Sequence, residues 1–268
     1  MAQDPHTSFL EGSQTVKVTT SDSQELNRLR CLLYGDSGCG KTTSCLTLPV
    51  ESTLIAVTDR SLVPLRGKPY RSLMIEDFED LRTLIRAFGG QPIDGLDLST
   101  VKTLVVDLLT DCAELCKKEI LIKSRPAMTK ERTKDERDTP KGIYSDVLSM
   151  EDWQLYSTRM SSFISTLCHL PVHVICMCIA GHRENKRTGE IKKGPAFNGQ
   201  LAFDIPKFFD IVLEMSATVD TEGKPCRVWR SAPTPEVMAK DASGVLDELE
   251  PTNWTNIFRK ILNNKKGK

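Results

Sequence analysis

The stretch "LLYGDSGCGKTT" (Leu32–Thr43) constrains this chain more than any other. Gly35 to Thr42 fits GxxxxGK[ST] between an apolar run and a helical stretch, the context in which such a loop turns its backbone N–H groups around phosphate oxygens. Gly35, Gly38 and Gly40 let the backbone close in where a Cβ would collide, and Asp36, Ser37, Cys39 and Thr43 complete the cradle. Lys41 reaches the β and γ oxygens and Thr42 holds Mg²⁺, so the implied ligands are ATP and Mg²⁺. A plain turn is the alternative.

The surrounding pattern gives the fold class. Short apolar runs, "RCLLY" (30–34), "TLIAVT" (53–58), "KTLVVD" (102–107), "VHVICMCIA" (172–180) and "DIVLEM" (210–215), are continuous and not alternating, as strands buried on both faces of a parallel sheet must be. Between them Phe78, Leu81, Leu84, Ile85 and Phe88 share a helical face, as do Tyr156, Met160, Phe163, Ile164 and Leu167. Ser149 with Asp152 reads as a capping box that starts the second helix. The order predicts a doubly wound, mainly parallel α/β sheet flanked by helices. "CRVWRSA" and the helical spacing of Trp254, Ile257, Phe258, Ile261 and Leu262 add a small C-terminal β/α extension.

This divides the 268 residues into a polar arm (1–25), a core (26–220) and the extension (221–268) with a basic tail. The 36 basic residues balance the 36 acidic ones, so attraction to nucleic acid must come from local patches. The nine cysteines form no CxxC pair and lie mostly in apolar runs, which reads as reduced thiols of a cytoplasmic protein; a disulfide or zinc framework is the alternative. No apolar run approaches the roughly 18 residues of a membrane span. Two charged stretches, 124–142 and 181–195, break the rhythm, the second as a hairpin turning at "RTGE".

Further candidates sit at strand ends, which face the ligand in open α/β sheets. Asp107 ends the third run and is the candidate Mg²⁺ carboxylate; Asp59 ends the second and is the candidate that positions water. A turn residue for Asp107, and a solvated partner of Arg60 for Asp59, are the bland readings. His182 follows the fourth run, where a polar group can sense a γ-phosphate. His169 and His173 read as structural. The loop after His182 holds Arg183, Lys186, Arg187, Lys192 and Lys193 against Glu184 and Glu190, a candidate salt-sensitive nucleic-acid contact without an aromatic platform.

The succession "LLYGDSGCGKTT", "LIAVTDRSLVPLRGK", "KTLVVDLLTDCAEL", "DWQLYSTRMSSFISTLCHLPVHVICMCIAGH", "GPAFNGQLAFDIPKFFDIVLEM" and "MAKDASGVL" resembles the phage-type AAA ATPases with a RecA-like core, some of which accompany single-strand annealing and recombination. The resemblance implies ATP and Mg²⁺ at Gly35–Thr42, a Walker B aspartate at Asp107, a sensor around His182, single-stranded DNA or a DNA-bound recombination protein as partner, and a ring or filament with ATP between subunits. Two departures stand out. Thr58-Asp59-Arg60 replaces the family's Asp-Thr-Glu, and Lys240-Asp241-Ala242 keeps the lysine of a Lys-x-Arg pair that reaches a neighbour's γ-phosphate while losing the arginine. Arg227 and Arg230 are possible substitutes. An ATP-gated switch with little hydrolysis, and a small-molecule kinase with 125–138 as its lid, are the other readings.

Overall fold

A computed structural model describes residues 28–59, 62–124, 148–184, 189–219 and 222–263. The N-terminal arm, the charged stretch 125–147, Arg60, and Lys186 and Arg187 of the basic loop lie outside the described residues.

All five predicted runs are strands: β1 (Arg30–Gly35), β2 (Thr53–Val57), β4 (Thr103–Asp107), β5 (His173–Glu184) and β7 (Ile211–Val219). They are joined by β3 (Arg71–Met74), β6 (Ile191–Pro195), β8 (Pro225–Arg230), β9 (Lys240–Asp241) and β10 (Leu249–Pro251). The sheet runs β10-β8-β7-β1-β5-β4-β2-β3, with β6 on β5 and β9 on β7. Pairing is parallel from β7 through β3. It is antiparallel for β8, β9 and β10 and for the β5–β6 hairpin.

Helices cover both faces, as expected. Leu32, Tyr34, Leu104, Val106, Val174 and Cys176 pack toward α2 (Phe78–Phe88), α3 (Leu109–Ser124), α4 (Met150–Cys168) and α5 (Leu201–Asp204). Their strand neighbours Cys31, Leu33, Val105, Ile175 and Met177 form a second core with Cys45, Trp229, Trp254 and Ile257. That face carries α1 (Lys41–Ser44) and α6 (Trp254–Asn263). Alternation along each strand therefore feeds two cores, which is why the runs are continuously apolar.

Local signals account for the helix starts. The Ser149 hydroxyl accepts from the Asp152 amide while Asp152 accepts from the Ser149 amide, the predicted capping box. Asp77 and Asp80 form the same device at α2. On the first core, Phe78 meets Phe163 edge to face at 5.5 Å between ring centroids. Among the described residues no helix is long and apolar enough to cross a membrane.

Candidate active site

The parallel register sets the site. Gly35 lies level with Ile179 of β5 and Met215 of β7, and Val57 of β2 lies level with Asp107, so the C-terminal ends of β1, β2, β4 and β5 open onto one cleft. The cleft has a volume of about 230 Å³ and is lined by loop residues Ser37, Gly38 and Gly40 to Thr43 together with Asp59, Pro64, Asp107, Leu108 and Ile179. A larger groove of about 760 Å³ beside Met150 and Trp153 gathers one carboxylate and no cation. Charge and motif favour the smaller cleft.

The loop is shaped by what its glycines lack. A Cβ on Gly35 would lie 2.7 Å from the Met215 carbonyl oxygen, and Gly40 holds φ at 104°, in the left-handed region. The regular part of α1 is only four residues long and tightens into a 3₁₀ turn over Cys45–Thr47. It is braced from the far end of the chain: the Trp254 indole N–H donates to Ser44 Oγ at 3.0 Å and the Trp254 amide to Thr47 Oγ1 at 3.0 Å.

Lys41 is buried and its ammonium donates to the carbonyls of Gly35 and Asp36, both at 2.9 Å, with Cys39 Sγ 3.9 Å away. The Thr42 hydroxyl donates to Asp107 Oδ2 at 2.6 Å. Asp107 is 8% exposed, and its other oxygen, Oδ1, is buried without a hydrogen-bond partner. Burial pushes the Asp107 carboxyl above the usual carboxylate range; the Thr42 hydrogen bond opposes this, and the charge of Asp59 adds to it. A hydroxyl and a carboxylate in contact, with one buried carboxylate oxygen unsatisfied, fit Mg²⁺ shared with a phosphate chain. Among the described residues no cluster of three His, Cys, Asp or Glu side chains could hold a metal without such help.

Sequence reasoning missed the turn that carries Asp107. The Thr58 hydroxyl donates to Asp111 Oδ2 at 2.8 Å and accepts from the Leu108 amide at 3.1 Å, tying the end of β2 to the start of α3. A polar residue pair at the ends of two adjacent strands was the available signal.

Several expected placements need correction. β5 runs on to Glu184, so Ile179 faces the cleft, while His182 lies three residues further along the strand, exposed in the β5–β6 hairpin opposite Lys193. Lys193 does not face solvent as a free cation: its ammonium is 3.0 Å from both Asp36 Oδ2 and Glu214 Oε1. Arg183 turns inward, donating to the carbonyls of Pro195 and Phe197 with its guanidinium 4.7 Å from the Phe203 ring centroid. Burial lowers its affinity for the proton. Only Lys192 of the described candidates in this loop is exposed. Lys240, on β9, donates to the Phe209 carbonyl of its own chain at 2.7 Å.

A family model described as an AAA domain (AAA_24) matches residues 27–243. The chain belongs to this AAA-domain family. Two solved structures are similar to it at low identity. The RadB recombinase is 12% identical, over 80% of this chain and 90% of that one, with a TM-score of 0.36. The flagellar accessory protein FlaH from Methanocaldococcus jannaschii is 9% identical, over 82% and 83%, with a TM-score of 0.38. No curated protein matches the chain. The AAA-domain match takes in the whole phosphate loop, Asp59, Asp107 and Lys240.

Proposed function

We propose that this AAA-domain protein is a RecA-like P-loop ATPase of the phage type, binding ATP with Mg²⁺ at Gly35–Thr42, hydrolysing it to ADP and phosphate, and acting on DNA in recombination, annealing or repair. The observation that carries the ATPase reading is the 2.6 Å bond from Thr42 to Asp107 beside the buried Lys41. Lys41 exchanges the Gly35 and Asp36 carbonyls for phosphate oxygens. Thr42 and Asp107 would hold Mg²⁺, whose charge offsets that building on the transferred phosphoryl oxygens. Asp59, on the same cleft, orients the attacking water. Assembly into a ring or filament on single-stranded DNA follows from the resemblance in motif order, with the exposed Lys192 as the described loop cation that meets phosphates.

Single-turnover hydrolysis, with and without single-stranded DNA, tests this. Phosphate release stimulated by DNA is the expected result. ATP retained uncut under both conditions would overturn the ATPase reading.

One observation favours an ATP-gated switch instead. Lys240 is engaged with Phe209 of its own chain, and Ala242 stands where the arginine of a Lys-x-Arg pair would be. An arginine finger contributes about 10³–10⁵ in rate, so a chain lacking one turns over slowly. Lys240→Met discriminates: unchanged turnover by the assembled protein supports the switch, and collapse of turnover restores the catalytic role in a neighbour's site.

A further inference from the structure

β8 brings an arginine against the phosphate loop from within the same chain. Arg227 lies opposite Ala217 of β7 and two positions from Trp229, so the two side chains leave the same face of the strand. Trp229 is fully buried in the core beneath α1 and α6, which puts Arg227 on the face that carries the loop. Contact agrees with alternation: a Cβ on Gly40 would lie 3.1 Å from Arg227 Nε and 3.2 Å from its Cδ and Cζ. The guanidinium therefore lies over the bare backbone of Gly40, immediately before Lys41.

Its charge is not answered. Arg230, on the opposite face of β8, pairs with Glu248, and Arg30 and Arg82 pair with Asp210 and Glu119. Among the described residues no carboxylate or other acceptor pairs with Arg227. A planar cation with five donors thus stands exposed beside a loop built to receive a polyanion.

We propose that Arg227 is the second phosphate-binding cation of this site, acting in cis on the phosphate nearest the ribose; the inference rests on ATP binding at Gly35–Thr42. The cleft of about 230 Å³ falls below the roughly 300–1,000 Å³ of pockets that enclose a whole small molecule. It takes the terminal phosphates, and the rest of the nucleotide leaves over the rim. Arg227 stands at that rim across Gly40, whereas Asp59 and Asp107, which mark where the bond is cut, lie inside. Its contact therefore falls on a part that ATP and ADP share, which makes it a binding residue and not a finger.

Titration of ATP and of ADP, each with Mg²⁺, into the full-length wild type, Arg227→Gln, Arg227→Lys and Lys41→Ala tests this. The expected result is a loss of about tenfold to hundredfold for both nucleotides in Arg227→Gln, the scale of one charge-assisted hydrogen bond, with Arg227→Lys intermediate. Unliganded melting should be unmoved, because the side chain is exposed and its removal breaks no pair. Affinities within about twofold of a wild type that itself binds ATP overturn the inference alone. So does a loss confined to ATP. A wild type with no binding that depends on Lys41 overturns the parent reading and the inference together.

Discussion

The ammonium of Lys193 lies 3.0 Å from Asp36 Oδ2, so the β5–β6 hairpin is fastened to the phosphate loop by an ion pair. The same ammonium lies 3.0 Å from Glu214, whose side chain is 4% exposed on β7. The hairpin is further held where the Tyr34 hydroxyl donates to the Met238 carbonyl at 2.5 Å and the Met238 amide to the Lys193 carbonyl at 3.0 Å. A residue with the look of a nucleic-acid contact is thus part of the scaffold around the cradle.

Lys193→Met should therefore act on stability. It strands a buried carboxylate, and breaking such a pair costs about 3–5 kcal/mol, readable as a lower urea midpoint. The double variant Lys193→Met/Glu214→Gln should recover most of that loss. A single variant that melts like the wild type yet loses DNA affinity would return Lys193 to the nucleic-acid surface.

Asp107→Asn should melt higher than the wild type at neutral pH while losing hydrolysis by at least about 10²-fold, the scale of removing one preorganised electrostatic group. The fold raises the Asp107 carboxyl above its ordinary value, so the unfolded chain releases that proton more readily. Stability accordingly falls as pH rises from the ordinary carboxylate range through the raised value, and this burden is complete only above it. Asparagine keeps an acceptor for Thr42 and carries no charge. Thermal melts of both proteins should converge on acidification; a gap that persists in acid would assign the gain to something other than ionisation.

His173 should make the fold sensitive to mild acid. Its Nδ1 accepts from the Leu29 amide at 3.0 Å and its ring stacks on Phe258 at 4.8 Å between centroids. Desolvation, helped by the charge of Arg28, holds the imidazole below the ordinary value of 6.5. The folded chain resists a proton that the unfolded chain accepts, so this contribution is complete above 6.5 and is lost as pH falls from there through the lowered value. Melting from about pH 7.5 to about pH 5 should show a decline that His173→Asn lacks. Parallel declines would exclude His173 as the cause.

Cys39 should be the thiol that reports on the cradle. Seven of the nine cysteines are buried, and Cys39 and Cys226 are the partly exposed ones. Iodoacetamide should label Cys39 in the loop and abolish ATP binding, and saturating Mg²⁺–ATP should slow that labelling by about tenfold or more. Labelling of Cys39 at the same rate with ATP bound would place the nucleotide elsewhere.

The parts of this fold written in local pattern were legible. Five buried strands read as unbroken apolar runs, two helices announced themselves by their apolar faces and one of them also by its cap, and the contact of Thr42 with Asp107 joins one motif to one strand end. What escaped depends on partners distant in sequence. "RSLM" has neither alternation nor β-branched residues, and Arg71–Met74 becomes a strand because β2 offers it a parallel edge. Glu214, inside the apolar run "DIVLEM", was the visible anomaly: a carboxylate buried there requires a cation, and Lys193 supplies it from 21 residues upstream. Lys240 resembles a catalytic lysine by motif, yet its ammonium meets the Phe209 carbonyl from 31 residues away, a contact no spacing rule encodes.

The bond from the Trp254 indole to Ser44 spans 210 positions of sequence. During synthesis the glycine-rich loop leaves the ribosome early, but the helix that steadies its short α1 emerges only after nearly all the sheet strands have been made. A nascent chain therefore carries the glycine-rich motif long before Trp254 can reach Ser44, and α1 is steadied only when α6 docks.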